Sequence, residues 1–196
     1  MNGLLEPRGL PLLTVERYRA VFDFPVIEYY RALGFDFDRD PFEEVGTEFI
    51  ERYEERKYDA GLYPGARAVL KALQAAGITQ SVLSAYKKDT LQHLVGHFGL
   101  TGYFNDLVGL DNHYAAGKLE QGVSWMRGLD LDPAGVVLVG DTQHDHDVAD
   151  GMGVACILLD GGHQARNRLE GRGVPVLDSI RDLPAYLGVE GSAVWE

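Results

Sequence analysis

The stretch Val136-Val-Leu-Val-Gly-Asp-Thr-Gln-His-Asp145 decides how this chain is read. Four apolar residues run straight into Gly140, Asp141 follows at once, and Asp145 lies about one helical turn further on. A short apolar run closed by glycine predicts a buried strand that delivers both carboxylates to one edge of a sheet. Such a pair suits a hard divalent cation, because Mg2+ takes oxygen ligands from acidic side chains while keeping several waters. The same residues also fit a plainer reading as a helix start, with Asp141 or Thr142 as the cap and Asp145 complementing the helix dipole.

Working outward, strands and helices alternate from Leu62 onward. A helix is expected from Pro64 to Ala76, with Val69, Leu70 and Leu73 on one face and Gly77 as its stop. A strand from Ile78 to Ser84 follows, then a helix from Asp89 to Phe98 ended by Gly99, and a short strand at Asp106-Leu-Val-Gly-Leu. Next come a helix from Lys118 to Gly128, the Val136–Val139 strand, and a helix from Asp145 to about Met152. A strand from Val154 to Leu159 and a weak one from Val174 to Leu177 complete the pattern. Helices between successive strands imply parallel crossovers, hence an α/β fold with a Rossmann-like, doubly wound sheet. Ligands of such sheets bind beyond the carboxyl ends of the strands.

Residues 1–61 have a different texture, with helical signals only. Thr14 can cap a helix opening at Val15, although Arg17 stands where a full capping box has Glu. Pro25-Val-Ile-Glu-Tyr-Tyr-Arg-Ala-Leu opens with proline at a first helical position and closes at Gly34. From Pro41 to about Tyr58, Phe42, Val45, Phe49, Ile50, Tyr53 and Tyr58 recur every three to four residues, as in an amphipathic helix. The chain thus divides into a helical bundle over 1–61 and an α/β core over 62–196.

The formal net charge of −12 argues against nucleic acid or an anionic membrane as a partner, since both select a basic face. Hydrophobic residues at 45% and charged residues at 24% describe an ordinary globular chain. Cys156 is the single cysteine, so no intramolecular disulfide forms, which fits a reducing compartment. Its apolar setting, Val154-Ala-Cys-Ile-Leu-Leu, suits a small buried residue rather than a nucleophile. No apolar run reaches the ~18 residues of a membrane span. The first residues lack a basic-then-apolar leader, and the expectation is a cytoplasmic protein.

Two further residues stand where the strand-end rule points. Ser84 closes the first strand of the α/β region, where its hydroxyl can donate to a phosphoryl oxygen or simply close a turn. Lys118 follows Gly117 at a helix start, which the macrodipole disfavours unless an anion sits there; an exposed surface lysine is the plain reading. His144 and His146 flank Asp145, but positions two apart do not share a helix face, so a histidine metal site is not expected. His93 and His97 are spaced i, i+4 without the Glu and third ligand of a metalloprotease, and read as ordinary helix residues.

Taken in order, Ser84, Lys118 and Asp141…Asp145 resemble the haloacid dehalogenase-like phosphatases, in particular their phosphoglycolate-phosphatase-like branch. Leu62-Tyr-Pro-Gly-Ala is similar to the segment before that family's second motif, and Val82-Leu-Ser-Ala to the motif itself. Gly117-Lys118 is similar to the third motif and Val139-Gly-Asp-Thr-Gln-His-Asp145 to the fourth; residues 1–61 resemble the family's helical cap. The resemblance implies a phosphatase that hydrolyses a small phosphomonoester through an aspartyl-phosphate, with Mg2+. By resemblance, Ser84 and the Ala85 N–H hold phosphoryl oxygens, and Lys118 neutralises charge as a catalytic and substrate-binding group. Asp141 ligates Mg2+ directly, and Asp145 acts through water or as support. The partner implied is a small phosphorylated metabolite, phosphoglycolate being the family default.

The family's first motif, an apolar strand followed by Asp-x-Asp-Gly-Thr, has no counterpart here. Phe35-Asp-Phe-Asp38 has the Asp-x-Asp spacing, but Arg39-Asp40 follow it and a helix end precedes it, as in an acidic loop. Because the family's motif-one strand lies between those carrying Ser84 and Asp141, the expectation is a sheet missing its central strand. The chain is then an N-terminally truncated, inactive form of the phosphatase. A non-catalytic phosphate- or metal-binding protein, or a phosphomutase on the same scaffold, are the alternatives.

Overall fold

Thr14 starts the helical region as a capped helix: its Oγ1 accepts from Arg17 N at 3.1 Å, opening α2 (Val15–Val21), which follows the short α1 (Asn2–Leu5). This computed structural model describes residues 1–110, 117–129 and 131–189. Pro25, expected inside the next helix, is its N-cap instead; α3 runs Val26–Leu33 and ends on Gly34, whose φ of 96° only glycine adopts without strain. α4 spans Phe42–Arg56. Leu4, Leu5, Tyr29, Tyr30, Leu33, Phe35 and Val45 bury against one another, with Phe42 and Phe49 packed at the margin. Arg8 bridges this cluster's polar rim, reaching Asp40 at 3.1 Å and Glu48 at 2.9 Å.

The α/β region follows the expected alternation. Its elements are α5 (Ala66–Ala75), β1 (Ser81–Lys87), α6 (Lys88–His97), β2 (Asp106–Leu110), α7 (Lys118–Gly128) and β3 (Val137–Gly140). Then come α8 (Gln143–Met152), β4 (Ala155–Leu159), α9 (Arg166–Glu170), β5 (Val176–Leu177) and α10 (Leu183–Tyr186). Every ladder is parallel, as helical crossovers require. One boundary differs usefully. β1 does not stop at Ser84 but continues to Lys87, and its register with β2 breaks between Leu83 and Lys87. Ser84 therefore sits in a bulged stretch of strand rather than at its last residue.

The ladders form two sheets, β1 with β2 and β3-β4-β5. Side chains bridge the two. Leu70 of α5 packs with Val82 of β1, while Val69 and Leu73 pack with Val137 and Val139 of β3. On the opposite face, Leu83 and Leu138 share a cluster with Met126, Val148 and Met152 of α7 and α8. β1 and β3 are thus covered by common helices yet exchange no ladder bonds. All residues of β1 and β3 are half-buried, whereas β4, paired on both sides, buries Cys156, Ile157 and Leu158. A doubly covered parallel strand is ordinarily buried throughout. β1 and β3 each keep one edge without a ladder partner among the described residues.

Candidate active site

The turn from β3 into α8 is built by Gly140 and Thr142. A Cβ on Gly140 would overlap Cβ and the carboxylate of Asp145, so only glycine lets that side chain fold back over the strand end. Thr142 is the N-cap of α8 and Asp145 its third residue, and both bonds of a capping box are present. Asp145 Oδ2 accepts from Thr142 N at 2.9 Å, Thr142 Oγ1 at 2.7 Å and Asp141 N at 3.0 Å. Its Oδ1 is ion-paired with Lys118 Nζ. The helix-start reading of this segment therefore describes part of what Asp145 does, and the lysine adds what that reading lacks.

Burial alone would raise the Asp145 carboxyl pKa; the Lys118 ammonium and the donors from Thr142 and the Asp141 backbone outweigh it and hold the group below the ordinary carboxylate range. The pKa of His144, one residue before it, is pushed down by burial and by Lys118, and its ring lies 4.8 Å from that of Phe24.

Asp141 points elsewhere. Its Oδ2 accepts from the backbone N of His163 at 2.7 Å. Gly162 makes that approach possible, since a Cβ there would overlap the Asp141 carboxylate. Among the described residues no hydrogen bond or ion pair reaches Asp141 Oδ1.

Lys118 opens α7, and one turn on, Gly122 brings that helix onto β1: a Cβ at 122 would come within 2.9 Å of Leu83, the neighbour of Ser84. Lys118 is thus held against Asp145 from a helix that also rests on the Ser84 strand. The Ser84 hydroxyl itself accepts from Tyr86 N at 3.1 Å, the turn-closing arrangement that was its plain reading. His93 bonds the carbonyl of Asp89 at 2.7 Å, His97 packs against the tilted ring of Tyr58, and His146 lies 3.5 Å from Asp147, each an ordinary setting for a helix residue.

The helical region reaches this site through residues the sequence reading passed over. Arg19 of α2 donates to the carbonyls of Gly161 at 2.7 Å and Gly162 at 3.1 Å, and Tyr18 OH is bonded to His163 Nδ1. Phe22 stacks on the His163 ring at 4.8 Å. Gln164 is fully buried, accepting from Gln143 N at 2.7 Å and donating to Phe22 O at 3.0 Å. Arg168 donates to Phe22 O at 2.6 Å and pairs with Asp23 at 2.7 Å. The signal that could have revealed this is Gly161-Gly162, one residue beyond the end of β4, a doublet that marks close backbone approach.

Phe35-Asp-Phe-Asp38 lies in the turn between α3 and α4, where Asp36 Oδ1 accepts from Asp38 N at 3.1 Å and Phe35 is buried in the helical cluster. It is the acidic loop expected from its flanks.

Among the described residues no group of three or more His, Cys, Asp or Glu side chains converges to hold an ion. Asp145 has both oxygens engaged by protein donors, and Asp141 offers one. Mg2+ accepts one carboxylate when waters and a phosphate oxygen complete its shell. The donor set fits Mg2+ shared with a substrate and does not fit an all-protein cage. No described helix is long and apolar enough to cross a membrane.

Comparison with known proteins identifies the family and the fold. Residues 1–159 match the model of the haloacid dehalogenase-like hydrolase family. A phosphoglycolate phosphatase of Pseudomonas syringae is 28% identical over 191 residues, 93% of this chain and 70% of that protein. A haloacid dehalogenase-like family hydrolase from Streptococcus pneumoniae superposes with a TM-score of 0.77 at 17% identity, covering 94% of this chain and 86% of the other. The protein tyrosine kinase A of Mycobacterium tuberculosis gives 0.77 at 22% identity, covering 96% and 88%. At such identities the two structures show the shared fold alone. With the family model spanning most of its length, this chain belongs to the haloacid dehalogenase-like hydrolases.

Proposed function

We propose that this chain carries the phosphate- and Mg2+-binding part of a phosphatase acting on a small phosphomonoester of the phosphoglycolate type. The observation that carries the reading is the Lys118–Asp145 ion pair, buried beside Asp141 where β3 ends. The Ser84 hydroxyl and the Ala85 N–H would hold phosphoryl oxygens, and the Lys118 ammonium would neutralise their charge. Asp141 would ligate Mg2+ through Oδ1, while Asp145 fixes Lys118 and the start of α8. Bound Mg2+ would supply charge neutralisation at the phosphoryl group. The names of the curated relatives support the substrate class.

The attacking aspartate is not among these residues. Asp36 and Asp38 stand in the helical region's turn, and a further parallel strand pairing with the free edges of β1 and β3 would carry it. We therefore read these residues as binding phosphate without turning it over by themselves. The non-catalytic alternative draws on one observation: Asp145, Lys118 and Ser84 already satisfy one another or the backbone without a substrate. A phosphomutase would use the same residues.

The test is hydrolysis of p-nitrophenyl phosphate, with and without Mg2+, by this chain and by a version extended upstream to include an Asp-x-Asp strand. Activity in the extended form alone is expected. Mg2+-dependent turnover by the short chain would overturn the missing nucleophile, and no activity in either would favour the binding protein.

A further inference from the structure

Arg19 and Asp141 grip opposite sides of one peptide group. The Gly162–His163 peptide turns its carbonyl to Arg19 Nε, at 3.1 Å, and its N–H to Asp141 Oδ2, at 2.7 Å. A trans peptide is planar, with its C=O and N–H pointing in opposite directions. Fixing one end therefore aims the other. Arg19 also holds the preceding carbonyl, Gly161 O, at 2.7 Å, and its own carbonyl accepts from Ala165 N at 3.0 Å, so the turn is grasped on both sides. Tyr63 OH donates to the same Gly161 oxygen. The His163 ring is bonded to Tyr18 and stacked on Phe22, all within α2 and its C-cap.

We propose that the Gly161-Gly162-His163 turn couples the helical region to the metal-binding carboxylate, with Arg19 and Tyr18 as positioning residues for Asp141. The inference rests on the reading of Asp141 as a Mg2+ ligand. Holding Oδ2 on the His163 N–H leaves Oδ1 presented in one orientation, and that orientation lasts only while α2 is docked. Linkage is reciprocal, so Mg2+ bound at Asp141 must tighten the docking of α2. Neither Arg19 nor Tyr18 contributes a ligand atom. Their effect travels through one peptide plane and one imidazole.

The experiment measures Mn2+ affinity by electron paramagnetic resonance, with the His163 amide followed by NMR in the same samples. Arg19→Ala and Tyr18→Phe are expected to weaken Mn2+ binding by about 10-fold, the size of effect seen when support behind a ligand is removed. Both losses should vanish in an Asp141→Asn background, as a shared pathway requires. Arg19→Lys, able to restore one carbonyl contact, should recover part of the affinity. Denaturation of each variant separates a lost fold from a lost coupling. Wild-type Mn2+ affinity in folded Arg19→Ala and Tyr18→Phe overturns the proposal. If the unaltered chain binds no Mn2+, the metal reading of Asp141 fails, and the coupling is judged on the amide alone. The His163 amide resonance must then shift in Arg19→Ala, as it does in Asp141→Asn; an unmoved amide overturns the coupling as well.

Discussion

Lys118 and Asp145 meet as an ion pair with side chains only 12% and 7% exposed, and the two partners are unequally replaceable. Asp145 also receives Thr142 N, Thr142 Oγ1 and Asp141 N, so its removal strands a buried ammonium and a helix N-terminus together. Asp145→Ala should cost about 3–5 kcal/mol, the range for breaking a buried pair from one side. Lys118→Met leaves the carboxylate its capping donors and should cost about 1–3 kcal/mol. Urea denaturation of the two variants checks the order; equal losses would mean that the capping bonds contribute nothing.

The same carboxylate sets an acid limb. Its folded pKa lies below the ordinary value of 3.8, so its contribution is fully present above that pH. It is lost as pH falls through the lower, folded pKa. The stability gap between the unaltered protein and Asp145→Asn should therefore be constant from about pH 7 to pH 5 and narrow from about pH 4 downward. A gap that widened toward acid would contradict the depressed pKa.

Gly140→Ala should be markedly worse than an ordinary glycine substitution. The added methyl would overlap Asp145, whose neighbours are buried and cannot yield. A loss of about 1–3 kcal/mol is expected from overpacking. Gly135, with nothing within 4 Å of a Cβ, is the control and should tolerate alanine. Thermal unfolding of both variants is sufficient to compare them.

Gln164 is buried for its polarity rather than its volume. Its amide satisfies Gln143 N at the head of α8 and Phe22 O at the end of α2. Gln164→Leu, which keeps most of the volume, should still cost about 1–3 kcal/mol because both backbone groups lose their partner. If leucine is tolerated while alanine is not, the residue acts by filling space.

These expectations divide along the line between what was and was not legible in the sequence. Local signals were readable because neighbours in the chain enforce them: Thr14 capping α2, Gly34 ending α3, and the apolar run entering Gly140. So was the α/β alternation, since helices and strands differ in the period of their apolar residues. Lys118 and Asp145 could be nominated as site residues, but their pairing across 27 positions comes from α7 and α8 packing together. The strand through Ser84 ran on to Lys87 because a register break follows Leu83, which depends on the partner strand. Arg19, Tyr18, Gln164 and Arg168 carried no pattern at all. Each makes contacts more than 140 positions away, and single polar residues do not announce their partners.

The divided sheet also bears on how the molecule comes apart. Backbone hydrogen bonds carry cooperativity across a continuous sheet, and among the described residues β1-β2 and β3-β4-β5 share side-chain packing under α5, α7 and α8 rather than ladder bonds. The two ladders are thus separate candidates for opening. Amide exchange should sort them into two classes of protection, with β4, flanked on both sides, the slowest and the amides on the unpaired edges of β1 and β3 among the first strand positions to exchange.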